Sequence, residues 1–218
     1  MSPAPSPGRP APGRDCGFCP RLVAYRAELR TAHPDWHNAP VPSFGDPAAG
    51  LLVVGLAPGA GGANRTGRPF TGDFAGDLLY AGLARHGLSA GTFAARPDDG
   101  LRLAGSRITN AVRCVPPANR PTPAEIATCR QFLAAELAAA PAPAVVLALG
   151  RIAWESVLRA LGRKPSRHPF AHGAVLDDGT GPILVGTYHT SRYNVNTGRL
   201  TEAMFAAVMD RAAALLRR

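Results

Sequence analysis

Residues Leu51 to Asp73, LLVVGLAPGAGGANRTGRPFTGD, decide how the chain is read. The opening six, Leu51 to Leu56, are apolar without alternation. That is the pattern of a strand covered on both faces, and Pro58 and Gly59 break it into a glycine-rich loop. Working outward, three further segments read as strands: Arg107 to Val112 (RITNAV), Ala144 to Leu149 and Ile183 to Thr187. Helical patterns fall around and between them. One runs from Pro20 to about Arg30, with Leu22, Val23, Arg26 and Leu29 on one face. A second, capped by Thr71 or Asp73, runs to about Arg85. A third opens on the capping box Thr122-Pro123-Ala124-Glu125 and lasts to about Ala140. Ile152 to Leu161 and Thr201 to Arg217 complete the set. Short apolar strands alternating with helices imply an α/β fold, a three-layer α/β/α sandwich around a central, mainly parallel four-stranded sheet. Ligands of such sheets collect beyond the carboxyl ends of the strands. No internal repeat is visible.

At 218 residues with 46% hydrophobic and 18% charged residues, the chain has material for one large core. Residues 1–15 contain five prolines and two glycines and are expected to be a disordered tail, leaving 16–218 as a single domain. No apolar run approaches the roughly 20 residues that span a bilayer, and the N-terminus has no apolar core of a secretory signal, so a cytoplasmic location is expected. The net charge is +9, with Lys164 the single lysine. A GC-rich genome explains why arginine is the cation used. It does not explain the excess of cations over anions, which suits a polyanionic partner such as nucleic acid.

Three loops leave the carboxyl ends of the expected strands. The first, Gly55 to Asp73, lacks the G-K-[ST] ending of a P-loop, and Asn64 stands where a dinucleotide fingerprint would need its third glycine. Its glycines admit close backbone approach, Arg65 and Arg68 offer anion contacts, Phe70 a flat stacking face and Asp73 a carboxylate. The second, Thr109 to Cys114, carries Asn110, whose amide sets a donor beside an acceptor, as reading a pyrimidine edge requires. The third, Tyr188 to Thr201, carries His189 followed by polar, aromatic and basic residues. Each residue taken singly has an ordinary structural explanation; three such loops at one end of a sheet favour a catalytic one.

Cys16 and Cys19 form C-x-x-C, and Cys114 and Cys129 lie on later elements. Cys129 shares a helix face with Ile126 and Leu133, so its thiol points inward. The four could form one thiolate site for zinc or an iron–sulfur cluster, and spacing alone does not choose between them. The competing possibility is a redox C-x-x-C beside two buried thiols.

The segments CGFCPRLVAYR, GLAPGAGGANRTGRPFTGD, ITNAVRCVPPANRPTP and HTSRYNVNTGRLT, in order from Cys16 to Thr201, resemble the family 5 (type B) iron–sulfur uracil-DNA glycosylases. The resemblance implies a 4Fe-4S cluster on Cys16, Cys19, Cys114 and Cys129, structural and without a redox step. It implies a substrate pocket formed by Gly55, Ala57, Pro58, Gly59, Phe70, Asn110 and Ser191, with Phe70 stacking on the extruded base and Asn110 at its pairing edge. The resemblance further casts His189 as the donor to the uracil carbonyl and Asp73 as the carboxylate that helps the water or the cationic sugar. Leu56-Ala57 stands where related enzymes place a water-activating acid. Arg192, Tyr193 and Asn194 would lie on the loop that enters the duplex, and Arg65, Arg68 and Arg199 would contact phosphates. Two departures are visible: Gly61 replaces a usual histidine, and Thr190 a usual proline or aliphatic residue. The function implied is hydrolytic removal of uracil, and of other deaminated bases such as hypoxanthine or xanthine, from DNA by a monomer in base excision repair. The alternatives are a non-catalytic iron–sulfur protein that recognises damaged DNA, a zinc α/β hydrolase of small nucleosides, and a redox protein.

Overall fold

The computed structural model describes residues 11–139 and 142–218. Among them the strands are β1 (Phe44–Gly45), β2 (Leu51–Gly55), β3 (Ser89–Ala90), β4 (Arg102–Leu103), β5 (Ser106–Asn110), β6 (Val145–Leu149), β7 (Val175–Leu176) and β8 (Ile183–Thr187). The helices are α1 (Pro20–Ala32), α2 (Ala75–Arg85), α3 (Pro123–Leu137), α4 (Arg151–Ala160), α5 (Arg192–Asn196) and α6 (Glu202–Leu216). The main sheet has the order β1-β5-β2-β6-β8-β7. The four central strands are parallel, as expected. Two strands of two residues each, β1 and β7, extend it antiparallel at its edges, so the sheet has six strands rather than four. Strands that short carry no period to read.

Both faces of β2 are dry because its side chains alternate between two cores. Leu51 and Val53 join Leu79, Leu83, Phe205 and Met209 from α2 and α6, while Leu52 and Val54 join Leu133, Trp154 and Val157 from α3 and α4. A third cluster, Leu22, Val112, Cys114, Cys129 and Phe132, seats α1 against α3. The capping box at Thr122 forms as read: the Glu125 amide donates to Thr122 Oγ1 at 3.3 Å and the Thr122 amide to Glu125 Oε2 at 2.7 Å.

Boundaries moved where loops competed with ladders. The second expected strand runs from Ser106 to Asn110 rather than to Val112, because the Ala111 and Val112 amides turn to the carbonyls of Gly55 and Leu56. Asn110 is thereby the last strand residue. The third helix ends at Leu137, and Ala140 lies outside the described residues. Of the expected tail, residues 1–10 also lie outside them. Residues 11–15 run beside α1, with Asp15 paired to Arg30 at 2.8 Å and the Cys16 amide donating to the Gly13 carbonyl.

The chain moves from β2 outward to β5, then crosses back over β2 to β6 and β8. Beside this reversal a crevice opens at the carboxyl end of the sheet, lined by the segments that follow β2, β5 and β8.

Candidate active site

The crevice is lined by the three loops. Its inner part is formed by Ala57, Pro58, Gly59, Ala63, Phe70, Asp73, Ala75, Asn110 and His189. It opens into a cleft of about 610 Å³ bordered by Ala57, Gly59, Gly61, Gly62, Asp73, Asn119, His189, Ser191 and Arg192, among others. Phe70, Asn110, Asp73 and His189, from segments far apart in sequence, therefore face one space.

Phe70 is buried and its backbone is left-handed, at φ 53°. A bulky residue there is strained by roughly 1–3 kcal/mol and needs its surroundings to hold it. The holding group is Arg68. Its guanidinium makes two hydrogen bonds to Asp99, at 2.8 and 2.7 Å, and Nε donates to Thr71 Oγ1 at 2.8 Å. Tyr80 Oη donates to the Pro69 carbonyl at 2.7 Å, and Thr66 Oγ1 to that of Thr71 at 3.1 Å. The Arg68 charge also sits 5.2 Å from the Phe44 ring centre. Arg68 is only 6% exposed, so its expected role as a phosphate contact is corrected: it clamps the loop that presents Phe70. The pairing also holds the Asp99 carboxyl well below the usual carboxylate range.

Gly55 does not line the pocket, contrary to expectation. It lies beneath, where a Cβ would meet Asn110 Oδ1 and come within 2.6 Å of Phe70 Cζ. Its missing side chain is what lets the ring and the amide share the pocket floor. Asn110 is 3% exposed, and among the described residues its Oδ1 has no hydrogen-bond partner. A buried acceptor left open costs about 1–3 kcal/mol, a cost recovered when a ligand donor arrives.

Asp73 receives the Ala75 amide at 3.1 Å at the start of α2, and burial raises its pKa. Gly59 and Gly62 give it room: a Cβ on Gly62 would overlap its carboxylate. The His189 ring lies 5.8 Å from that of Phe70, at 28° between planes. Burial pushes its pKa down to about 4, so at neutral pH the ring is uncharged and can donate one hydrogen bond without carrying a cation. Its loop is pinned at both ends. Thr190 Oγ1 donates to the Ala75 carbonyl at 2.9 Å, and Asn194 Nδ2 to the His189 carbonyl at 2.8 Å. Thr190 thus performs a bracing role that an aliphatic residue could not. Asn194 is spent in the same brace, and the Ser191 hydroxyl caps α5 while bordering the cleft.

Arg192 is exposed beside the cleft with its charge 5.5 Å from the Phe74 ring centre, Arg199 is exposed over Tyr188, and Tyr193 is 72% exposed. Arg65 is exposed on the outer side of the glycine-rich loop. The sequence reading missed Arg68's clamp, its partners Asp99 and Tyr80, and Asn119, which borders the cleft in a left-handed turn at φ 55°. Asn119 lies within PPANRP, whose proline spacing marks a turn; nothing local marks Asp99.

The four cysteines line a second, tight pocket, of about 20 Å³, with Phe18, Leu22, Val112 and Phe132 among its walls. Cys19 precedes α1, Cys129 lies on α3 and Cys114 follows β5. Burial raises the Cys114 thiol to about 12 and Cys129 to about 11. Among the described residues no three His, Cys, Asp or Glu side chains are grouped as ligands of a single metal ion. Arg26 is buried at 4% exposure in this pocket. It donates to Cys114 Sγ at 3.6 Å and to the Cys16 carbonyl at 3.0 Å, with no carboxylate partner among the described residues.

Residues 42–213 match the model of the family described as the Uracil DNA glycosylase superfamily. The chain is 49% identical to a type-5 uracil-DNA glycosylase of Thermus thermophilus, over 90% of this chain and 92% of the relative. It is 44% identical to one of Pyrobaculum aerophilum, over 92% and 88%. A type-4 enzyme of Pyrobaculum aerophilum is 34% identical over 71% of this chain and 65% of the relative. With this agreement across most of its length, the chain belongs to the uracil-DNA glycosylase superfamily and, within it, to the type-5 family.

Proposed function

We propose that this protein removes uracil from DNA by hydrolysing the bond between the base and deoxyribose. The observation that carries this is the convergence of Phe70, Asn110, Asp73 and His189 on one pocket at the switch point of the sheet. An extruded uracil stacks on Phe70, and its N3–H donates to the open Asn110 Oδ1. Cytosine has no hydrogen at N3 and leaves that acceptor unpaired, which is the basis of selection. As the glycosidic bond breaks, charge develops on the base carbonyl, and neutral His189 donates to it from a preorganised position. Asp73 favours the cationic sugar and orients the attacking water. Leu56 and Ala57 carry no acid, so Asp73 supplies the carboxylate of the cleft.

The same reading extends to hypoxanthine and xanthine. A Cβ on Gly61 would meet nothing within 4 Å, so the cleft stays open where the family usually carries a histidine, leaving room for a purine. It extends also to a 4Fe-4S cluster on Cys16, Cys19, Cys114 and Cys129. The donor set fits: four thiols line one pocket, and a buried guanidinium without a carboxylate needs anions, which thiolates bound to iron provide. Cys16 and Cys19 before α1, Cys114 after β5 and Cys129 on α3 would hold such a cluster, which would tie these segments together and supply no step of the hydrolysis.

Incubation with duplexes that each carry one uracil, hypoxanthine, xanthine, thymine or cytosine, followed by alkaline cleavage, tests these assignments. Breakage is expected at uracil and, more slowly, at the deaminated purines. An intact uracil strand with normal DNA binding would overturn catalysis.

A further inference from the structure

The outer side of the glycine-rich loop opens onto another groove, of about 460 Å³, that the proposed reaction does not use. Arg14, Arg65 and Arg96 line it, with Trp36 and His37, against Asp35. Arg96 meets Asp98 at 3.6 Å, but both are largely exposed and such a pair holds its partner weakly. The arginines come from three separate segments of the chain, so the concentration of positive charge is a product of folding.

The groove is built rather than loose. The His37 amide donates to the Arg65 carbonyl at 3.0 Å, the Asn38 amide to that of Asn64 at 3.1 Å, and Asn64 Nδ2 to Asn38 Oδ1 at 2.9 Å. A Cβ on Gly67 would stand 2.9 Å from His37 Nδ1, so glycine there lets the two segments meet. It is also continuous with the active cleft. Arg65 Nε donates to the Gly61 carbonyl at 2.8 Å, and its Nη2 lies 3.0 Å from where a Cβ on Gly72 would be; Gly61 and Gly72 both border the cleft.

We propose that this groove receives the sugar–phosphate backbone of the DNA strand on one side of the extruded nucleotide, with Arg14, Arg65 and Arg96 as phosphate contacts. The proposal rests on the glycosylase reading and adds one-sided extension of the DNA footprint, with Arg14 and Arg96 as residues nothing in the family resemblance assigns. Open, cationic and joined to the cleft through Arg65, the groove suits a polyanion that continues past the reacting base.

The test compares Arg14→Ala/Arg96→Ala with Arg217→Ala/Arg218→Ala in the full chain. The second pair removes the same charge at the far end of the molecule, where Leu216 packs against Gly50 before β2. Binding to an undamaged duplex is followed by fluorescence anisotropy across salt concentrations. The groove variant should bind about tenfold more weakly near 0.1 M salt and lower the salt slope by about 1–2, since each lost phosphate contact removes roughly 0.9. The control pair should change affinity less than about twofold. Duplexes shortened on one or the other side of the central position then give direction. Wild type should lose affinity on shortening one side, and the groove variant should be insensitive to that same cut. Equal losses in the two variants, an unchanged slope, or equal sensitivity of the groove variant to both cuts would overturn the groove. Base release from a uracil duplex by the wild-type chain is scored separately. Its failure would remove the glycosylase reading while a local slope change would still support the groove as a DNA surface.

Discussion

Two pockets meet at one stretch of chain: Asn110 ends β5 on the floor of the first, and Cys114, four residues on, lines the second. Each is underpinned by a buried arginine–carboxylate pair. Arg68 with Asp99 fixes the loop of Phe70. Arg113 with Glu136, which also takes Arg107 Nε at 2.9 Å and Thr109 Oγ1 at 2.8 Å, fixes the segment between Asn110 and Cys114. What differs is the polar group each leaves open. The first leaves an acceptor, Asn110 Oδ1, a carboxylate and a neutral imidazole, which together match a neutral base that becomes an anion. The second leaves a guanidinium facing sulfur, which matches negative charge on the thiols. The open acceptor that lines the first pocket and the guanidinium without a carboxylate that lines the second are the groups a ligand of each pocket would meet.

The sharpest way to break this contrast is to remove a supporting pair. Arg68→Met strands the Asp99 carboxylate, whose side chain is 1% exposed, and should cost about 3–5 kcal/mol of stability in a urea titration. Arg65→Ala, three residues away in sequence but exposed, should leave the free energy of unfolding within about 0.5 kcal/mol and weaken DNA binding instead. A mild effect of Arg68→Met would mean the loop is held by other means.

Next come the groups proposed to act in the reaction. His189→Ala and Asp73→Asn should each lower single-turnover excision by about tenfold or more, or at least about 1.4 kcal/mol of barrier. Asp73→Asn should do so without loss of stability. Its pKa is raised by folding, so the ionised form is disfavoured in the native state and weakens it at neutral pH. The variant should therefore be as stable as wild type or more so at pH 7, with any advantage shrinking as pH falls through the carboxylate range. Wild-type excision should rise with pH through a value above the usual aspartate pKa, and the Asn variant should lack that limb. A destabilised Asn variant at neutral pH would show that Asp73 is chiefly a cap for α2.

The smallest effect on excision is expected in the second pocket. Arg26→Met should lower iron per chain by at least about twofold and speed bleaching of the cluster's visible absorbance, with Arg26→Lys partly restoring both. Purified wild-type protein without iron or colour would remove the cluster assignment.

Much of this was legible along the chain. The runs at Leu51, Ala144 and Ile183 and the capping box at Thr122 rest on neighbours one to four residues apart, and their local patterns became the elements they suggested. That Phe70, Asp73, Asn110 and His189 line one crevice was legible because strand ends in a parallel sheet gather at one edge. The identity of the residue that holds Phe70 was not. Arg65 and Arg68 look alike in sequence, each a cation beside small and polar neighbours, yet one is exposed and the other is buried against Asp99, 31 residues away. Whether an arginine faces solvent or a carboxylate depends on which distant segment packs over it.

Sequence alone therefore determined the layers, the strand-end loops and the four cysteines, since hydrophobic period and turn chemistry act locally. Only the tertiary structure decided that Gly55 is a spacer rather than a contact, that Asn194 and Thr190 brace the histidine loop, and that three arginines from separate segments share a groove. Those outcomes depend on steric room and electrostatic pairing between residues far apart in the chain, for which no local pattern exists.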